Sequence, residues 1–146
     1  DADLAENKWY AHYRPGYDTH YAARSVNVNK QSTTVMMHRI VMERMISRPL
    51  MRGEEVDHID NNPCNNIREN LRLASSSQNH ANVPKRKDNK TGYKGVHPTE
   101  NGKRWYAMIQ RGGKQQRLGT FDTPELAYVA YCEAAIKYHG EFARFE

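Results

Sequence analysis

The sequence predicts an α+β chain built from two small modules: strand, loop, strand and short helix in the first half, then a three-stranded antiparallel sheet packed on one C-terminal helix. Three observations predict it. Short aromatic or β-branched runs alternate with turn dipeptides, as strands and hairpins require. A long apolar face at helical spacing stands near the C-terminus. Between these patterns lies a lysine-rich stretch without periodicity, Lys85 to Lys90, which reads as a linker. The expected organisation is a first module over 1–84, a basic linker over 85–90 and a second module over 91–146.

Taken in order, Trp9 to Tyr13 and Tyr21 to Val26 read as two strands around a Pro15-Gly16 turn. Thr33 to His38 reads as a third strand running into a helical stretch, Arg39 to Ile46, whose Ile40, Val41, Met45 and Ile46 suit packing. Glu54 to Ile59 is a strand. The run Asp60-Asn61-Asn62-Pro63-Cys64-Asn65-Asn66 has side chains that bond their own backbone and so favours a loop. Leu71 to Ala74 returns to an extended pattern, and Ser75 with Gln78 forms a capping box for a short helix that Pro84 limits. In the second module, Tyr93 to His97, Arg104 to Gln110 and Gln115 to Phe121 read as strands joined at Asn101-Gly102 and Gly112-Gly113. Thr123 caps the last helix with Pro124 in its first turn; Ala127, Ala130, Tyr131, Ala134, Ala135 and Tyr138 share one face, and Gly140 stops it.

Charge separates the modules. Of the chain's net +5, the residues up to Pro84 contribute nothing, with ten Lys and Arg against ten Asp and Glu. Lys85 to Arg117 holds ten basic residues against two acidic ones. Such a segment suits a polyanion, because each neutralised phosphate releases condensed counterions; a solvated basic face is the alternative. Two cysteines, Cys64 and Cys132, are too few for a disulfide framework or a structural zinc site, so an intracellular setting is expected. No apolar run approaches the roughly 20 residues of a membrane span, and no membrane partner is expected.

The first module carries the chemistry. Val56-Asp57-His58-Ile59-Asp60, Glu69-Asn70-Leu71-Arg72 and Ser77-Gln78-Asn79-His80 put a carboxylate, an imidazole and carboxamides on successive elements. Breaking a phosphodiester needs a deprotonated water and a cation to offset accumulating charge. Imidazole suits the first task, and Asp and Asn oxygens suit a hard divalent cation, magnesium with manganese as an alternative.

This ordered pattern, over roughly His38 to Asn82, resembles the HNH nucleases of the ββα-metal class, in the homing-endonuclease branch where the last His is replaced by Asn. The resemblance implies that Asp57 binds the metal, His58 is the general base, Asn70 holds the His-bearing loop and Asn79 completes the metal site. His38-Arg39 matches an upstream pair read as structural. Asn61, Asn62, Asn65 and Asn66 read as loop formers, and His80, about 100° around the helix from Asn79, is left open between metal and phosphate.

In the second module, Thr91-Gly92-Tyr93-Lys94-Gly95-Val96, Trp105 to Ile109, Leu118 to Ala127 and Tyr131 to Gly140 are similar to the DNA-binding domain of plant Apetala and ethylene-response-factor regulators, across Lys90 to Phe145. The resemblance implies a sheet in the major groove braced by the helix. Alternation independently turns Trp105, Ala107 and Ile109 toward that helix and leaves Tyr106, Met108 and Gln110 open. Candidate DNA contacts are Lys94, His97, Arg104, Met108, Gln110, Arg111, Gln115 and Arg117. The expectation is a metal-dependent HNH endonuclease of homing type acting on double-stranded DNA, as a monomer or weak homodimer; the alternative is a non-catalytic DNA-binding regulator that keeps the HNH half as a scaffold.

Overall fold

A computed structural model describes residues 1–15 and 19–145. It is a mixed α and β chain with three small antiparallel sheets among the described residues. The chain divides into two compact units, Asp1–Ser75 and Ser76–Glu146.

In the first unit, a short helix α1 (Ala2–Ala5) precedes β1 (Tyr10–Arg14), β2 (Thr19–Val28) and β3 (Gln31–Met36), which pair in chain order. Gly16 of the expected Pro15-Gly16 turn lies outside the described residues. β3 runs directly into α2 (Met37–Ile46), so His38 belongs to the helix and not to the strand expected over Thr33 to His38. Helical hydrogen bonding captures the residues that β-branching alone does not hold extended. β4 (Glu54–His58) then pairs with β5 (Leu71–Ser75), setting Asp57 opposite Arg72 and His58 opposite Leu71. Leu4, Val41, Met42, Val56 and Leu71 form the core, with Met37, Ile40 and Ile46 against it. Met45 stays exposed, so the α2 packing face omits one of the expected members.

The second unit begins with α3 (Ser76–Asn82). The Lys85 to Lys90 stretch has no regular element, but it ends in a side-chain-ordered turn: Asn89 Oδ1 accepts from the Thr91 and Gly92 amides, both at 2.9 Å. β6 (Val96–Pro98), β7 (Trp105–Arg111) and β8 (Lys114–Phe121) form a meander. β6 starts later than the expected Tyr93, because Gly95 takes a left-handed φ of +72° that breaks the extended run. Gly112 and Gly113, at φ of 55° and 76°, make the two-residue hairpin turn whose twist matches the strands. Across the sheet lies α4 (Pro124–His139), with Thr123 accepting from the Leu126 amide at its N-terminus. Ala127, Tyr131, Ala134 and Ala135 of α4 bury against Val96, Ala107 and Ile109. The inward alternation of β7 is thus the core of this unit.

Candidate functional site

β4 carries Asp57 and His58 inward and the 3-10 turn Arg68–Asn70 brings Asn70 alongside; they are 3%, 7% and 7% exposed. Polar groups at this burial persist only with partners. Asp57 Oδ2 accepts from Arg72 Nε at 2.7 Å, straight across the β4–β5 ladder. The guanidinium supplies the charge a buried carboxylate needs.

Asn66 holds one nitrogen of the His58 ring. Its Nε2 lies 3.0 Å from Asn66 Oδ1, while Asn66 Nδ2 donates to the Cys64 carbonyl at 3.2 Å. The amide oxygen therefore faces the imidazole and accepts from Nε2.

Asn70 ties down the loop between. Its Nδ2 donates to Asp60 Oδ1 at 2.9 Å and to the Asn65 carbonyl at 2.7 Å, and its Oδ1 accepts from the Asp60 amide at 3.1 Å. Its own carbonyl accepts from the Ile59 amide at 2.9 Å. Asp60 also accepts from Asn65 Nδ2 and the Asn62 amide, both at 2.7 Å. Burial works to raise the Asp60 carboxyl, but the bonds from Asn65, Asn62 and Asn70 prevail and hold it below the usual carboxylate range.

His38 enters from α2, a member of the cluster that its structural reading did not anticipate. Its ring centroid is 5.3 Å from that of His58, edge on at 74°, and 5.3 Å from Tyr21. Burial, then the charges of His58, Arg39 and Arg14, push its pKa down to about 3. Asn66, read from the sequence as a loop former, and Arg72, given no role there, also join the cluster. A cross-strand register signals Arg72, since opposite charges face one another on paired strands; nothing local separates Asn66 from the other loop asparagines.

No group of three or more His, Cys, Asp or Glu side chains able to hold a metal occurs among the described residues. The expected donor set is smaller, one carboxylate and one carboxamide. Such hard oxygens suit a magnesium-like cation that retains several waters, and a soft or structural metal is not matched. Asp57, His58 and Asn70 lie together in the first unit; Asn79, half-buried, and the exposed His80 lie on α3 in the second.

The open face of the β6–β8 sheet gathers four of the candidate DNA contacts. His97 stacks on Tyr106 at 5.3 Å and 26°. Arg117 lies 4.4 Å over the same ring and donates to Thr120 Oγ1 at 2.9 Å. Gln110 and Gln115 face each other across the strands and are exposed. Met108 lies opposite Arg117 in the same register, and three candidates have partners within the chain. Arg104 pairs with Asp122 at 2.9 Å, Arg111 sits 4.5 Å over Tyr138 of α4, and Lys94 turns inward to the Ala81 carbonyl at 2.7 Å.

Comparison with known proteins adds four findings. A family model described as HNH endonuclease matches residues 35–81. Protein 3.8 of Escherichia phage T7 is 35% identical over 97 residues, covering 66% of this chain and 79% of its own length. A protein of Acanthamoeba polyphaga mimivirus, named as an uncharacterized HNH endonuclease, is 30% identical over 141 residues, 96% of this chain and 67% of its own. An ethylene-responsive transcription factor of Arabidopsis thaliana is 42% identical over 53 residues, 35% of this chain and 29% of its own.

Proposed function

The chain belongs to the HNH endonuclease family, and from that premise we propose that it is a metal-dependent DNA endonuclease of homing type whose second unit grips duplex DNA. The observation that carries this reading is the fixed His58 ring, buried beside Asp57 and bonded through Nε2 to Asn66 at 3.0 Å.

His58 acts through Nδ1 as the general base. It takes a proton from a water as that oxygen bonds to phosphorus; the phosphorus bond to the leaving oxygen breaks, and solvent protonates the leaving group. Holding Nε2 with Asn66 keeps the basic nitrogen aimed, so little rotamer freedom is lost during the reaction. Asn70 keeps the turn that carries Asn66 in register with β4. Asp57 and, by its place in the motif, Asn79 would hold a divalent cation, magnesium or manganese, which when bound would supply charge stabilisation to the phosphate. Arg72 orients the Asp57 carboxylate for that role.

The sheet's part rests on its open face of His97, Tyr106, Gln110, Gln115 and Arg117, together with the likeness to a protein named as a transcription factor. Gln and Arg carry the donor and acceptor patterns that read adenine and guanine edges. A single constellation per chain favours a nick.

Incubation of supercoiled plasmid with magnesium or manganese tests this. Wild type should convert it to relaxed circles, and His58→Ala should lose at least about a hundredfold of that rate. Undiminished cleavage by His58→Ala would sink the base assignment, and duplex binding without any wild-type cleavage would favour a DNA-binding regulator.

A further inference from the structure

Lys94 occupies a position where the sheet module's likeness to plant regulators implies a DNA contact. The side chain goes the other way. Its Nζ donates to the Ala81 carbonyl at 2.7 Å, in a part-buried setting. Burial, with the charge of Arg144, lowers its pKa to about 8. Holding a cation in such a place costs desolvation, which only a specific partner offsets.

That partner is the end of a helix. Ala81 is the penultimate residue of α3, and the last four carbonyls of a helix have no acceptor role within it. An ammonium there satisfies one of them and meets the negative end of the helix dipole. With seven residues, α3 is far below the roughly 12–15 at which isolated helices become marginal in water, so packing must hold it. Within its own unit, Ala81 and Asn82 are buried, and α3 lies against α4, β7 and the 3-10 turn Gly140–Phe142. Beside the clamp is a cavity of about 650 Å³, lined among others by His80, Lys94 and His139.

We propose that Lys94 is a positioning residue that clamps α3 to the sheet module, so that the module which grips DNA also fixes the helix bearing Asn79. The sheet and the helix that carries Asn79 then belong to one unit. This rests on the reading of Asn79 as a metal ligand. The clamp itself is a separate physical claim with its own readout.

The test uses the full chain with Lys94→Met, which keeps the apolar stem, and Lys94→Arg, which restores a cationic donor. Three quantities are compared: amide exchange across 76–82, the metal concentration at half-maximal cleavage, and duplex affinity in calcium without cleavage. Lys94→Met should speed exchange in α3 and raise the half-saturating metal concentration by about tenfold or more, as loss of a charged hydrogen bond implies. Its DNA affinity should stay within about twofold, and Lys94→Arg should recover part of the metal response.

Unchanged exchange in Lys94→Met would overturn the clamp. So would a loss of DNA affinity as large as that of Arg117→Ala with normal metal dependence, which would make Lys94 a DNA contact. Asn79→Ala, run in parallel, separates the two readings: normal metal dependence there removes the ligand assignment, while the exchange result still decides the clamp. If Lys94→Met fails to fold, Lys94→Gln retains a donor without charge, and the same exchange comparison with Lys94→Arg decides.

Discussion

At His38 the imidazole stands between two other rings, Tyr21 and His58, and its Nδ1 is buried without a hydrogen-bond partner among the described residues. Its folded pKa, about 3, lies below the ordinary imidazole value of 6.5. Between those values the unfolded chain binds a proton here that the folded chain does not. Stability is therefore intact above the higher value and falls as pH drops through the window, by at most about 1.4 kcal/mol per pH unit. His38→Gln should flatten the acid limb of the unfolding midpoint against pH. An unchanged limb would assign acid loss to other groups. The sequence marked His38-Arg39 as a matching pair, yet the rings that surround His38, Tyr21 and His58, are each about twenty residues away in the chain. By contrast, the roles of Asp60, Asn62 and Asn65 in the loop were legible because those bonds join residues only a few positions apart.

Among the elements, the onset of β6 is fixed by a single glycine. A Cβ on Gly95 would lie 2.3 Å from a ring carbon of Tyr131 and 2.7 Å from the Met108 carbonyl oxygen, at a φ of +72°. The Gly95 carbonyl in turn accepts from the Met108 amide at 2.8 Å. Sheet and helix approach one another too closely here for any side chain. Gly95→Ala should therefore destabilise the second unit by about 2–4 kcal/mol, combining overpacking with backbone strain. Denaturant unfolding measures this, and a loss under about 1 kcal/mol would contradict so tight an approach. The sequence supplied the strand and helix patterns of this unit, with the Gly112-Gly113 turn and the Thr123 cap. It did not show that Tyr93 to Gly95 leaves the extended run, since the glycine's conformation answers to Tyr131, distant in sequence.

Over the whole molecule, several cations of the basic segment Lys85 to Arg117 have partners within the chain. Lys85 donates to the Gly92 carbonyl, Arg86 pairs with Asp88, Lys94 with Ala81, Arg104 with Asp122, and Arg111 covers Tyr138. Arg117 is held on the open face by Tyr106 and Thr120, aimed and exposed. Arg117→Ala should weaken duplex binding and reduce the slope of log affinity against log salt by about one, as loss of one phosphate contact does. A weakened affinity with an unchanged slope would instead mark Arg117 as a base reader. What the sequence by itself determined is the order of the motif, the strand and helix patterns and the basic segment, because periodicity, turn chemistry and charge are properties of neighbouring residues. Only the tertiary structure decided that Asn66 holds His58, that Arg72 answers Asp57, that Lys94 faces inward and that the division of the chain falls at Ser75 and Ser76. Those outcomes depend on strand register and packing between distant segments, where many pairings are compatible with the same local pattern and close packing selects one.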